Sequence, residues 1–400
     1  MDDVTPRVQF TLVLIQAVFV QTLSFGLRPT LSYAVLDAGG SGSVLGVLTA
    51  AFALPSLLLA LPIGHVMDRI GERPLLVAGP TAMLAASVVA LLFTQSVPLL
   101  ILSTVLVGIG HLSTVLSTQG VLANRFAGGR ADSVFGYYTF AASLGQTLGP
   151  LLLALPSDRP EMPPIETILV ISIGTSIVML ALASVMKSSP RQRLEKQRHL
   201  VTTTMSLLRI NGVIRALIAT SIVLATIDLF VVYMPLLGHE RELTTVTVSV
   251  MLVVRSAASM LSRLFLGVLV RRSGRRRLVV GSIAISALAL AATVMPVPQP
   301  ALIALSAVYG FFIGICQPIT LSWISELAPP GTRGLAMSLR LAANRVGQTA
   351  LPAALGVLAV ASGAVGVLLA AAGTLVVAAW SSAALPDSST DTATGDHDLG

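Results

Sequence analysis

Charge is scarce in this sequence. Of its 400 residues only 11% are Asp, Glu, Lys or Arg, where a soluble domain carries about a quarter. That shortage excludes a soluble enzyme, a nucleic-acid binder and a disordered chain. Cysteine is all but missing: Cys316 stands alone, which excludes a disulfide framework and a thiolate metal cluster. No His or Cys pair has metal-ligand spacing, and no Gly-x-x-x-x-Gly-Lys-Ser/Thr loop offers a nucleotide phosphate its backbone. No cofactor and no catalytic constellation are therefore expected. Aromatic residues make up 5%, too few for an extensive cage around a large cation. Lysine occurs twice against 23 arginines, and with the abundant alanine this suggests a GC-rich bacterial genome. What is plentiful is apolar: 54% of residues, with a mean hydropathy of +0.87.

The apolar residues come in long runs. A spanning helix needs about 20 of them, and several uncharged stretches are long enough for two. Breaks at Gln95–Pro98, at Pro296–Pro300 and at Ser362-Gly363 divide those stretches, since proline and small polar clusters punctuate helices. The result is twelve expected spans: 8–28, 44–64, 75–94, 98–120, 134–154, 165–186, 214–237, 245–269, 278–295, 301–322, 335–360 and 363–385. Barrel strands would alternate apolar and polar residues over about ten positions. These runs do not alternate, so the expectation is an all-α membrane protein. The run at 8–28 has no charged leader or small-residue cleavage site and reads as a retained span.

The net charge of +7 is distributed by topology. One set of connections holds Arg7, Arg69, Arg73, Arg125, Arg130, Arg333, seven basic residues between 187 and 215, and five between 271 and 277. That makes eighteen, against Arg28, Arg159 and Arg241 on the other side. Basic residues favour the cytoplasmic side, so both termini are expected in the cytoplasm, most simply of a bacterial inner membrane. The organisation follows as two six-helix bundles at 1–186 and 214–385, a basic linker at 187–213, and a polar disordered tail at 386–400. The linker arginines could also lie on anionic lipid.

The two halves resemble each other at an offset of 202–203 residues. Gly64, Asp68, Arg69, Gly71 and Arg73 fall on Gly267, Arg271, Arg272, Gly274 and Arg276. Gly145, Gln146, Thr147 and Pro150 fall on Gly347, Gln348, Thr349 and Pro352. Repeated bundles with a midplane site are a common build for secondary transporters.

With those motifs the sequence resembles the major facilitator superfamily over nearly its whole length. That family's loop after span 2 reads Gly-x-x-x-Asp-Arg-x-Gly-x-Arg, present here from Gly64 to Arg73. The resemblance implies a monomeric transporter of small molecules, working by alternating access in the lipid bilayer, with no nucleic acid involved. It implies that Asp68 touches the start of span 11, where an anion at a helix N-terminus is worth about 0.3–1 kcal/mol. In the second copy Arg271 replaces the acid; Arg271 or Arg272 is expected to pair with Asp132 as a charge-reversed latch. Span 5 holds Gly136, Gly145, Gly149 and Pro150, similar to the family's antiporter motif, and implies proton-coupled efflux, of multidrug type or of a metabolite. Plain helix packing explains the same glycines. An uptake symporter, or a membrane sensor that binds without moving its ligand, remains open.

Ionisable residues inside spans are costly and usually face a cavity or a partner. Asp228 and Arg255 lie at similar depth, roughly 15 Å in from the outer end, and are expected to pair. Asp228 is the one carboxylate deep in any expected span and the first proton-coupling candidate. His111, which titrates near neutrality when unperturbed, is the second, unless it only packs. Arg340, Asn344, Arg345 and Gln348 form one polar stripe on span 11. Arg263 and Arg340 lie near the cytoplasmic ends and can snorkel. Gln16, Gln21, Thr114, Thr226 and Gln317 sit on spans that line the cavity in the family. The arginines lean the expected solute toward an anionic or polar one.

Overall fold

The computed structural model describes residues 6–126, 131–186, 205, 208–210, 212–327 and 333–383, with side chains except at 61, 64, 65, 68, 69, 123–126, 131–136, 321–327 and 333–338. Nearly all of the linker at 187–213, the tail at 386–400, and the side chains of Asp68, Arg69, Asp132 and residues 64 and 136 lie outside it.

Every expected span lies on a helix of its own. These are α1 (Pro6–Asp37), α2 (Gly42–Ile70), α3 (Arg73–Leu92), α4 (Val97–Phe126), α5 (Ala131–Leu148), α6 (Ile165–Val185), α7 (Val213–Glu240), α8 (Thr245–Ser273), α9 (Arg275–Thr293), α10 (Gln299–Leu327), α11 (Arg333–Gly356) and α12 (Ala359–Ala383). Helices satisfy their own backbone groups, which lipid cannot do. Over the described residues, ten are long and apolar enough to cross a membrane; the side chains that open the other two, α5 and α11, lie outside the described residues. Helix α5 gives way at Pro150 to a 3-10 helix at Gly149–Ala154, and α11 carries the polar stripe.

Packing repeats with the sequence. Helix α1 packs on α4, α5 and α6, as α7 packs on α10, α11 and α12. The pairs α2–α4 and α3–α6 recur as α8–α10 and α9–α12. Helix α2 meets α11 across the two sets, and α8 meets α5 in the matching way. Close approaches coincide too. A Cβ at Gly108 would collide with the Phe52 carbonyl, and one at Gly310 with the Arg255 carbonyl. A Cβ at Gly145 would collide with the Val18 carbonyl, and one at Gly347 would lie 2.7–3.1 Å from Ser221. All these pairs are related by 202 or 203 positions.

Both copies of the loop motif stop a helix on a glycine. Gly71 has φ +90° and donates its N–H to Met67 at 2.8 Å; Gly274 has φ +74° and donates to Val270 at 2.9 Å. Side chains rarely adopt this conformation, so Gly71→Ala and Gly274→Ala should each cost about 1–3 kcal/mol. Thermal unfolding in detergent measures this. A change within about 0.5 kcal/mol, as at ordinary surface sites, would show that the turns relax freely.

Burial is uneven along the central helices. Gly26–Val35 of α1 and Ala225–Gly238 of α7 are buried at every position. Toward its Pro6 end, α1 alternates buried positions with exposed residues such as Val8 and Ile15. Among the described residues, three cross-links between the two halves sit at the far end. Tyr233 donates to the Gly42 carbonyl at 3.1 Å, the Thr245 N–H to Pro160 at 2.7 Å, and Ser249 to Pro150 at 2.7 Å. That end is sealed.

Candidate substrate and proton site

The buried charges converge on a cavity of about 190 Å³ between the two halves. Its centre is a chain of bonds across three helices. The Arg28 guanidinium of α1 donates to Asp228 Oδ1 of α7 at 2.7 Å. Gln348 of α11 donates to Asp228 Oδ2 at 2.8 Å, and Arg345 donates to Gln348 Oε1 at 3.0 Å. Both carboxylate oxygens are thus occupied, one from each half. The pair is buried, with side chains 3% and 6% exposed. Arg28 also lies 4.4 Å over the Phe52 ring, which tilts against His111 at 5.4 Å.

The expected Asp228–Arg255 pair does not form. Depth along two helices says nothing of the direction each side chain points, and α7 packs more closely on α1 and α11 than on α8. Arg255 bonds instead to its neighbour Ser256 at 2.6 Å, and its guanidinium lies 6.0 Å from the Phe230 ring. Arg28 itself is a correction. It belongs to no outer loop, because α1 continues nine residues beyond it to Asp37.

Arg263 does not snorkel. It donates to Ser143 of α5 at 2.7 Å, across the interface between halves, and lines the cavity. Gln21, His111, Gln317, Asn344, Arg345 and Gln348 line it as well. Gln16 and Thr114 are buried but do not; a Cβ at Gly79 of α3 would clash with the Thr114 hydroxyl. Thr226 bonds to its own helix at Val223. Arg340 is half-buried away from the lining. Sequence reasoning missed Arg28, Phe25, Phe52 and Gln146 as lining residues. The repeat could have found Gln146, since it is the counterpart of Gln348.

Four arginines therefore face one carboxylate among the described lining residues. Several of their donors are idle: Arg28 Nε and Nη2, Arg255 Nε and Arg263 Nε are buried without a partner. Wider hollows of about 510 and 500 Å³ occur at the sealed end near Asp37 and Arg159. They are lined mainly by the connection before α6 and gather no buried charges, so the central cavity is the better site.

The α5 glycines have a packing role. A Cβ added at Gly149 would come within 2.6 Å of the Thr22 carbonyl oxygen and 2.8 Å of the Gly26 nitrogen, and Gly145 lies on the same α1 surface. The Pro150 carbonyl then serves Ser249 of α8. In the loop motif, Arg73 reaches the Ser184 carbonyl at the end of α6 at 3.1 Å, while Arg271 and Arg272 are exposed.

Two matched helix sets around a charged central cavity are the build of a membrane transporter, not of an enzyme. The family model of the Major Facilitator Superfamily matches residues 13–254 and 216–396, and the chain belongs to that family. Among solved structures it is similar to the nucleoside transporter NupG, at 15% identity over 93% of this chain and 98% of that one, TM-score 0.77. It is similar to a D-xylose–proton symporter, at 15% identity over 96% and 99%, TM-score 0.78. A bacterial homologue of the human lysosomal transporter Spinster, in an inward-facing, unoccupied conformation, matches at 14% identity over 94% and 97%, TM-score 0.74. No curated protein matches the sequence.

Proposed function

We propose that this transporter is proton-coupled and that Asp228 carries the proton. It works as a monomer in a bacterial cytoplasmic membrane, with the basic connections and both termini inside. The sealed end is then the outer gate.

The Arg28–Asp228 bond carries this reading. It joins α1 to α7 beneath the seal. Protonating Asp228 removes the charge that holds Arg28, and so loosens a contact between halves. A proton and a gate are linked through one atom pair. Breaking one partner of such a buried pair typically costs about 3–5 kcal/mol, enough to bias two conformations strongly.

Two directions of coupling are compatible with this centre. The α5 pattern implies outward antiport, but its described glycines are engaged in seating α1. Symport is favoured by a specific feature: the arginine that holds Asp228 also lines the cavity, so solute and proton can each take one member of the same ion pair. A cavity of about 190 Å³ also lies below the roughly 300–1,000 Å³ that accommodates drug-sized ligands, which speaks for a small metabolite over multidrug efflux.

The test is proton flux in vesicles containing the protein, with compound gradients of either sign. Proton release from an acidified interior as a compound enters is antiport; protons entering with it is symport. Asp228→Asn should lose gradient-driven movement yet keep solute exchange at equal pH. Full coupling in that variant would refute the role of Asp228 and turn attention to His111.

A further inference from the structure

We propose that the central cavity takes a small solute bearing a carboxylate or phosphate group, seated against Arg28 and Arg345, and that it binds together with a proton on Asp228. This rests on the proton-coupled reading above and adds the ligand class and the sign of the linkage.

Charge comes first. Arg28, Arg255, Arg263 and Arg345 outnumber Asp228 by three among the described lining residues. A cation here would meet like charges, at a cost of several kcal/mol. A neutral solute would leave the excess uncompensated in a buried site. An oxyanion matches the guanidinium fork and can accept two parallel bonds from it.

Idle donors come second. Arg28 is 3% exposed, yet only Nη1 has a partner; its Nε and Nη2 have none. Arg255 is 3% exposed, with Nε idle. A buried donor without a partner is expensive, and a bound oxyanion would satisfy several at once. Gln21 Oε1 and Asn344 Oδ1 are idle acceptors on the same lining. They suit hydroxyl or acid hydrogens on the rest of the solute.

The linkage follows from Asp228. The groups facing it are Arg28 from α1, Arg255 from α8, Tyr309 from α10, and Arg345 and Gln348 from α11. His111 of α4 lies on the same lining. An anion that takes Arg28 leaves Asp228 buried with a weaker partner. Two anions then share one dry site, and neutralising the carboxylate with a proton removes the repulsion. Anion binding therefore draws in a proton, and the two move in the same direction.

Calorimetry on the purified full chain tests this. Succinate, lactate and inorganic phosphate are titrated in two buffers of different ionisation enthalpy, with xylose and choline as neutral and cationic controls. At least one acid should bind with uptake of about one proton per site. Asp228→Asn should bind that acid as tightly or more tightly, without proton uptake, because its competitor for Arg28 is gone. Arg345→Gln should weaken binding at least tenfold, the worth of a bond to a charged group. Phosphate alone binding would assign a phosphate head group, and succinate or lactate alone a carboxylate; both outcomes support the proposal. Failure of all three acids, or binding of xylose or choline in their place, overturns the ligand class and leaves proton coupling standing. Acid binding without proton uptake overturns the linkage, and the role of Asp228 falls with it.

Discussion

Arg28→Ala is expected to destabilise the protein by about 3 kcal/mol, toward the lower end of the range for breaking a buried ion pair. The lower end applies because Asp228 keeps one bond, from Gln348 at 2.8 Å, and because Arg255 and Arg345 line the same cavity. The substitution leaves a carboxylate that is 6% exposed without its direct countercharge. It also removes the guanidinium from the Phe52 face, an interaction of about 0.5–2 kcal/mol. The double variant Arg28→Met with Asp228→Leu should recover most of the loss, since a well-packed apolar pair often matches a buried ionic one. It should also lose proton coupling. Thermal unfolding in detergent gives the first result, and vesicle flux the second. A single variant as stable as the parent, or a double variant no better than the single, would mean that the pair does not hold α1 to α7.

Most of the fold was legible because its signals are collective. Twelve apolar runs, the basic connections and the offset of 202–203 each draw on many residues. The repeat was visible in Gly145-Gln146-Thr147 against Gly347-Gln348-Thr349, and it extends to backbone contacts that no apolar pattern reveals. Arg28 was not legible for a local reason. A charge followed by Pro29 reads as the end of a helix, whereas α1 runs through both. A proline is tolerated inside a spanning helix when neighbouring helices bury it, and Pro29 is buried. The partner that draws Arg28 inward, Asp228, lies in α7, two hundred residues away. The partner of Asp228 was hidden for a related reason. Sequence gives depth at about 1.5 Å per residue, but not the azimuth that selects α1 over α8. Gln16 and Thr114 show the same limit: both are polar and at plausible depth, and both are buried off the cavity lining.

The repeat makes the second large prediction. Gly310→Ala and Gly108→Ala should each cost about 1–3 kcal/mol or more, as overpacking does, although alanine normally improves a helix by about 1 kcal/mol over glycine. At Gly310 the three nearest atoms to an added Cβ are the carbonyl O, C and Cα of Arg255; at Gly108 they are the same atoms of Phe52. Backbone cannot move aside as a side chain can. Helices in lipid use such small residues to approach closely, so α10 must retreat from α8, and α4 from α2. The retreats occur at the two residues that flank the cavity, Arg255 and Phe52, so solute binding should fall with stability. Gly174, Gly281 and Gly373 lie in α6, α9 and α12 with nothing within 4 Å of an added Cβ. Alanine there should be neutral or stabilising, which separates crowding from any general effect of losing a glycine. The comparison also tests the symmetry itself. If Gly310→Ala is costly and Gly108→Ala as mild as Gly281→Ala, the halves share a sequence pattern without sharing its packing. If both are costly to a similar degree, one contact has been kept twice, with Arg255 in one copy and the aromatic seat of Arg28 in the other.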